Sequence, residues 1–231
     1  MNGLRERKHM FLLAVLVILG VMQPLVADWS ERTRILAGVV IAVLSLGALL
    51  VVFEKRWQRR LALFMLVVLF GSNIAHETLW LPLQMGAVIY HGFAILYVGF
   101  AVAVILKRIF HHEAIRTDDV IGAVCGYLAA AIAWANAYGL VYLFWPGSFR
   151  VADAIAGKLA DWNWQRSLFN YFSVMTLTTL GYDDVTPVGP LALSLSWLEA
   201  VFGQFYIAVV VAQLVGLRLA ESIKRNRSDS E

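Results

Sequence analysis

Long apolar stretches separated by short polar connections make up most of the chain. An apolar α-helix of about 20 residues crosses the ~30 Å hydrocarbon core of a bilayer. We therefore predict six transmembrane helices, at Met10–Ala27, Ile35–Phe53, Leu61–Leu79, Met85–Leu106, Val120–Phe144 and Val188–Leu217. A shorter, aromatic-rich stretch, Trp164–Thr178, lies between the last two and is predicted to be a helix that enters only half of the membrane.

The first apolar stretch allows two interpretations. Three basic residues precede it, as in a signal peptide, and cleavage would then follow Ala27. Against cleavage, the apolar stretch is long, and Leu25 stands where a cleavage site prefers a small residue. We favour a retained first helix, and the cleaved alternative stays open at this point.

Basic residues in the connections predict the orientation of the chain. One side has five basic residues: Arg32, Arg34, Arg150, Lys158 and Arg166. The opposite side has 14: Arg5, Arg7, Lys8, Lys55, Arg56, Arg59, Arg60, Lys107, Arg108, Arg116, Arg218, Lys224, Arg225 and Arg227. Cytoplasmic connections carry the excess of Lys and Arg, so both termini are predicted in the cytoplasm of a cell whose plasma (inner) membrane holds the protein.

Composition narrows the class of protein further. Hydrophobic residues make up 60% of the chain and charged residues 15%, whereas soluble domains have about 25% charged residues. The net charge of +3 comes from basic residues beside the spans and does not indicate nucleic-acid binding. The single cysteine, Cys125, lies in an apolar stretch and is expected to be a packing residue.

A polar segment follows the half-membrane helix and carries the candidate chemistry. It reads Thr176-Leu177-Thr178-Thr179-Leu180-Gly181-Tyr182-Asp183-Asp184. Non-helical backbone at membrane depth is tolerated only where it is buried in protein or lines a water-filled path. Backbone carbonyls aimed at one axis can replace the water shell of a cation. Gly181 permits the unusual backbone conformation that such aiming requires. A lone Gly-Tyr would fit an ordinary loop, but here Thr-x-Thr-Thr-Leu-Gly-Tyr follows an aromatic half-membrane helix and precedes Asp-Val-Thr-Pro and a long span, so the loop is the weaker interpretation.

This segment resembles the selectivity filter of potassium channels. Positions 119–219 resemble the outer helix, pore helix, filter and inner helix of tetrameric potassium channels, most of all the compact prokaryotic two-span module. The resemblance implies an all-α integral membrane protein with six spans, a re-entrant pore helix and a homotetrameric pore. It also implies a four-span domain at 1–116, a pore domain at 117–219 and a cytoplasmic tail at 220–231.

The resemblance assigns roles to residues of the filter. We call residues 179–183 the filter segment. Potassium ions are expected at Thr179, Leu180, Gly181 and Tyr182, with Asp183 at the outermost ion site and Asp184 at the outer mouth. The family's usual valine is Leu180 here, and its usual second glycine is Asp183. No cofactor beyond the permeant cation is expected, and the expected partners are further copies of the chain and the bilayer.

The last span offers several further candidates. Glu199 is its single acidic residue, and an ionisable group inside a membrane is a functional candidate. We expect it to brace the back of the pore helix, together with Thr178, through Thr or Ser hydroxyls; the alternative is that it faces the conduction path. The candidates for an inner-helix hinge or gate are Gly203, Gln204, Ile207, Val211 and Val215, and helix packing is an equally good explanation for this stripe.

Three other functions have weaker support in the sequence. A voltage sensor would need arginines at every third position of the fourth span, and Met85–Leu106 has none. His76, Glu77 and His91 could sense pH but are expected to anchor the spans at the interface. An intramembrane enzyme or receptor is the remote alternative, since neither H-E-x-x-H nor G-x-S-x-G occurs. A non-enzymatic potassium channel is the main prediction, with a weakly selective monovalent cation channel as the alternative because Asp183 alters the filter.

Overall fold

The computed structural model describes residues 8–27, 31–77, 83–111 and 117–228. Its α-helices are α1 Lys8–Ala27, α2 Glu31–Val52, α3 Arg56–Glu77, α4 Leu83–His111, α5 Thr117–Phe144, α6 Asp153–Ala156, α7 Trp162–Leu177 and α8 Pro190–Ser228. The signal-peptide alternative concerns residues 1–27, of which 1–7 lie outside this description, as do the side chains of His76 and Glu77.

Four described helices are long and apolar enough to cross a membrane. The qualifying segments are Arg56–Ala75, Gln84–Phe110, Asp118–Phe144 and Pro190–Gln213. Within α1 and α2, His9–Leu25 and Gly38–Val52 are apolar but shorter. The chain is therefore a multi-pass membrane protein, and the count of six spans stays a prediction. The last helix is longer than predicted, because α8 continues to Ser228 through the basic segment beyond Leu217.

A short β-sheet was missed by the all-α prediction. Strands β1 (Phe149–Val151) and β2 (Val185–Pro187) pair antiparallel, with Arg150 opposite Thr186. Two 3₁₀ turns, Pro146–Ser148 and Gly157–Ala160, also shape the connection between α5 and α7. The pairing ties this outer connection to the chain just beyond the filter segment.

Three clusters of buried side chains occur among the described residues, and the two larger ones join most of the helices. The inner cluster joins α1, α2, α4, α5 and α8 through residues that include Leu49, Phe53, Ile105, Cys125 and Tyr206. Cys125 is fully buried there, which agrees with its expected role in packing. The outer cluster joins α5, α7, α8 and both strands through a second set: Tyr138, Val141, Phe149, Leu168, Phe169, Phe172, Val185 and Ala192.

A contact between His9 and Asp118 joins α1 to the start of α5. His9 is buried, and its Nδ1 atom lies 2.8 Å from Asp118 Oδ2, at ion-pair distance but outside hydrogen-bond geometry. Arg108 Nη1 lies 3.3 Å from His9 Nε2, and the Arg108 guanidinium also pairs with Glu54. The ends of α1 and α4 thus meet the start of α5.

Candidate functional site

Helix α7 ends immediately before the filter segment, as the sequence predicted. Its N-terminus is capped by Asp161, whose carboxylate accepts hydrogen bonds from the Asn163 and Trp164 amides. At the other end, the amides of Leu180 and Gly181 both donate to the carbonyl of Met175, at 2.9 and 3.3 Å. The chain therefore leaves the helix in a tight turn and holds the filter segment against the end of α7.

Two alternate residues of the filter segment have a left-handed backbone conformation. Thr179 has φ 59° and Gly181 has φ 63°, and Thr179 is the one non-glycine residue with positive φ among those described. This left-handed conformation is uncommon for a residue with a Cβ atom. Asp183 does not adopt it, so the alternation stops at Gly181. The outermost position of the segment thus departs from the inner positions in backbone as well as in side chain.

Two side chains of the filter segment are more than half exposed. Leu180 and Tyr182 are each 57% exposed. The Tyr182 ring lies parallel to that of Tyr171 on α7, with centroids 6.5 Å apart. One face of the filter segment therefore contacts α7, and no described residue of the same chain covers its other side.

The two aspartates after the filter have different partners. Asp184 Oδ2 accepts a hydrogen bond of 2.9 Å from the Tyr171 hydroxyl, and its carbonyl accepts one from the Ala152 amide. Asp183 Oδ1 accepts from the Thr186 hydroxyl at 2.9 Å. Asp184 is thus tied to α7 and to the outer connection, while Asp183 is held only by its own turn among the described contacts.

Glu199 lies fully buried behind α7. Its carboxylate accepts hydrogen bonds from the hydroxyls of Tyr138 on α5 and Ser173 on α7. Ser173 Oγ is also within 2.7 Å of the carbonyl of Ala131. A single carboxyl group therefore bridges α5, α7 and α8, and it does not lie on an exposed face of α8.

The Thr178 side chain makes a different contact from the one expected. Its hydroxyl donates to the carbonyl of Val174 in its own helix, at 2.6 Å, rather than to Glu199. Such bonding to the residue four positions earlier is common for Thr in helices. Of the Thr and Ser hydroxyls anticipated as partners of Glu199, Ser173 is the one in contact.

The end of α7 also packs closely on α8. A Cβ atom at Gly203 would collide with the carbonyl of Leu177 and come within 3.1 Å of its Cδ1 atom. The same carbonyl accepts a hydrogen bond of 2.8 Å from Tyr127 on α5. Gly203 therefore stands at a point of close approach, whereas Gly216 has open space around it.

The predicted stripe on α8 has no cover within the protomer. Gln204, Ile207, Val211 and Val215 are all exposed. Neighbouring faces of the helix also carry large exposed apolar side chains, among them Trp197 and Phe205 at 65% each. The arrangement is equally compatible with a lining of a water-filled path and with contact to another helix.

Comparison with known protein families identifies this region. Residues 130–217 match a family model described as an ion channel. This segment is similar to that ion channel family. No curated protein and no solved structure matches the chain. The matched residues of the channel contain most of α5, the whole of α7, the filter segment and α8 up to Leu217.

Several residues that shape the candidate site were not predicted from the sequence. Tyr127, Tyr138 and Tyr171 donate hydrogen bonds to the end of α7, to Glu199 and to Asp184. Tyrosines near helix ends are expected at membrane interfaces in any case, so their identity alone did not single them out. His91 was expected at the interface but is buried against α5, with Nδ1 2.9 Å from Asn136 Oδ1.

Proposed function

We propose that the protein is a potassium-selective channel that conducts passively through a homotetrameric pore. In this proposal α7 is the re-entrant pore helix, α5 is the outer helix and α8 is the inner helix. Potassium ions bind along the filter segment and need no further cofactor. The ion channel family of residues 130–217 sets the class of function, and potassium is the finer step that we add.

The observation that carries the proposal is the backbone alternation at Thr179 and Gly181. When every second residue is left-handed, successive carbonyls turn toward the same side of the chain instead of alternating. A row of carbonyl oxygens on one side can replace the hydration shell of a potassium ion. The Thr179 hydroxyl extends this row at its inner end, and the carbonyls of Leu180 and Tyr182 lie within it.

A tetramer is supported by what a single chain leaves uncovered. One chain supplies one wall of carbonyls, and a dehydrated ion needs oxygens on every side. Leu180 and Tyr182 are each 57% exposed in the protomer, although backbone at membrane depth must be enclosed in protein or line a water-filled path. Four copies around one axis would enclose the filter and cover the apolar face of α8.

The network behind α7 supports a bracing role for Glu199. Its carboxylate links Tyr138, Ser173 and the inner helix in a buried place. Buried polar networks with every partner satisfied rigidify their surroundings. We propose that Glu199 fixes the distance between pore helix and inner helix, while Thr178 closes the last turn of the pore helix.

The orientation proposed from charge places both termini in the cytoplasm of a cell whose plasma membrane holds the channel. Lys55, Arg59 and Arg108 lie on the same side as the N-terminus of α1, in agreement with the contact between Arg108 and His9. Packing of α1 against α5 and α7 supports a retained first helix rather than a cleaved signal. The filter then opens outward.

Flux measurements on purified protein in liposomes test the proposal. Liposomes loaded with potassium and diluted into sodium should develop an inside-negative potential that a potential-sensitive dye reports. Empty liposomes and liposomes with a Gly181→Ala variant serve as controls. Absence of a potassium-driven potential in liposomes that contain folded, tetrameric protein would contradict the proposal.

A weakly selective monovalent cation channel is the second candidate, and Asp183 is the observation that favours it. The left-handed alternation ends at Gly181, so the carbonyl of Asp183 need not join the row formed by the inner residues. A filter with fewer aligned carbonyls discriminates less between cations. In the dye experiment this candidate predicts that sodium entering from the outer solution abolishes the inside-negative potential.

A further inference from the structure

An amide side chain on α3 contacts two residues at the outer end of α7. Asn73 lies on α3, and its Oδ1 atom accepts from Trp162 Nε1 and from Arg166 Nη1, each at 3.3 Å. Trp162 and Arg166 both belong to the first two turns of α7. One acceptor on α3 therefore binds two donors from the helix that leads to the filter segment.

Helix α4 contributes an aromatic surface to the same attachment. The Arg166 guanidinium carbon lies 4.4 Å from the centroid of the Tyr90 ring and 5.7 Å from that of Trp162. Tyr90 is buried, and its ring meets Trp162 edge to face at 5.5 Å. A cation placed over aromatic faces away from water is held more strongly than one at an exposed site. We call Asn73, Tyr90, Trp162 and Arg166 the outer clamp.

The position of Arg166 cannot be explained by the stability of α7 alone. It is the fifth residue of that helix, past the first turn, and the N-terminal end of a helix dipole offers a positive charge no stabilisation. All of its contacts described above except that with Trp162 are made with α3 and α4. The contacts across to the four-span domain therefore account for an arginine at this place.

His91 fixes the clamp relative to the outer helix. Its ring lies against Gly139 on α5 so closely that a Cβ atom there would collide with it, and Nδ1 is 2.9 Å from Asn136 Oδ1. The Trp162 ring meets the His91 ring at 5.1 Å. Helices α4, α5 and α7 are thus joined at one level, near the outer ends of α4 and α5.

We propose that the four-span domain controls the filter through the outer clamp. In this view Asn73 and Arg166 are positioning residues: they hold the outer end of α7, and α7 holds the filter segment through the Met175 carbonyl. A shift of α3 or α4 would move α7 and so alter the conducting state of the filter. The inference rests on the proposed function, in which α7 and the filter segment form the conduction path.

Single-channel recording in planar bilayers tests the clamp. Asn73→Leu removes the shared acceptor, and Arg166→Gln removes the charge that lies over Tyr90. Each should shift the equilibrium between conducting and closed filter toward closure by roughly 2- to 30-fold, the range of measured couplings through packed networks. Asn73→Asp gives Arg166 a charged partner and should shift the equilibrium in the opposite direction.

Lys158→Gln is the matched control. Lys158 Nζ lies 3.8 Å above the Trp164 ring, so this variant removes a cation–aromatic contact at the outer side that involves neither α3 nor α4. It should leave open probability unchanged. The double variant Asn73→Leu with Arg166→Gln should have a smaller effect than the sum of the two single variants, because both substitutions break the contact between Asn73 and Arg166.

The outcomes separate this inference from the proposed function. A wild-type protein that fails to conduct potassium contradicts the proposed function itself. A wild-type protein that conducts, with Asn73→Leu, Arg166→Gln and Asn73→Asp all unchanged in open probability, overturns the clamp alone. Additive effects in the double variant would overturn it too. If one variant fails to assemble, Asn73→Asp and Tyr90→Leu test the inference instead. Asn73→Asp should raise the open probability, and Tyr90→Leu should lower it.

Discussion

The two sides of the filter segment differ in how completely one chain surrounds them. Behind it, Glu199, Tyr138 and Ser173 form a buried network whose members all have partners in the same chain. In front of it, Leu180 and Tyr182 are each 57% exposed, and the backbone carbonyls of the segment accept no described hydrogen bond from the same chain. A single chain therefore provides the support of the filter segment, and in the proposed tetramer the other copies provide its enclosure.

This difference separates two kinds of substitution. Changes behind the filter should act through folding and assembly, because they break contacts that exist in each protomer. Changes within the filter should act on conduction while the protomer keeps its fold, since few intrachain contacts are lost there. The following variants probe that separation, beginning with the largest expected effect.

Gly181→Ala should abolish potassium conduction and leave the helical fold intact. A left-handed backbone costs a residue with a Cβ atom about 1–2 kcal/mol. In the proposed tetramer, all four chains would incur this cost at residue 181. An added Cβ atom meets nothing within 4 Å, so the effect would come from backbone conformation and not from a clash. Liposome flux and circular dichroism check the two halves of this prediction.

Gly147→Ala is the control for Gly181→Ala. Gly147 also has nothing within 4 Å of an added Cβ atom, and its φ is not positive. It lies in the outer connection between α5 and α7. Equal flux loss in both variants would show that the outer connection, not the filter backbone, determines conduction.

Glu199→Ala should lower the thermal stability of the assembled protein. It leaves the buried Tyr138 hydroxyl without this acceptor, at about 1–3 kcal/mol, whereas the Ser173 hydroxyl keeps the carbonyl of Ala131 as an acceptor at 2.7 Å. Glu199→Gln keeps an oxygen acceptor and should cost less. Thermal unfolding in detergent, followed by tryptophan fluorescence, compares the two. A stable Glu199→Ala protein with altered conductance would instead favour the alternative that Glu199 faces the conduction path.

Gly203→Ala should destabilise the contact between α7 and α8 by about 1–3 kcal/mol, the usual cost of an overpacked site. The new methyl group would push on the Leu177 carbonyl at the end of α7. Gly216→Ala is the matched control in the same helix, because its surroundings are open. If both variants change gating equally and neither changes stability, Gly203 acts as a hinge and the close contact is unimportant.

Much of the fold follows from the sequence because its signals are local. Long apolar stretches gave α3, α4, α5 and α8, and the run up to Thr178 gave α7 nearly to its last residue. The strands β1 and β2 have three residues each, too few for an alternating pattern, and their pairing joins residues far apart in the chain. They could not be predicted from local sequence.

The candidate site divides in the same way. Glu199 was found because it is a lone acid in an apolar span, but its partner Tyr138 lies 61 residues away in the sequence. The contact between Asn73 and Arg166 spans 93 residues, and neither residue belongs to a motif. Such pairs depend on how helices pack, which a single sequence does not specify.

Asp183 should give the smallest effect. Asp183→Asn removes one carboxylate per chain from the proposed outer mouth and should lower conductance mainly at low ionic strength. At physiological salt the Debye length is ~8 Å, which screens such a ring. Asp183→Gly restores the residue usual in the resembling channels and should conduct with at least equal selectivity. A dead or unselective Asp183→Gly channel would show that the bond from Thr186 to Asp183 maintains the filter.

Reversal potentials in planar bilayers test the central claim most directly. With potassium on one side and sodium at equal concentration on the other, the wild-type channel should reverse far from zero, toward the potassium equilibrium potential. This follows if the carbonyls aligned by Thr179 and Gly181 form the potassium sites. A reversal potential at zero, from protein shown to be tetrameric, would contradict potassium selectivity and favour the non-selective cation channel.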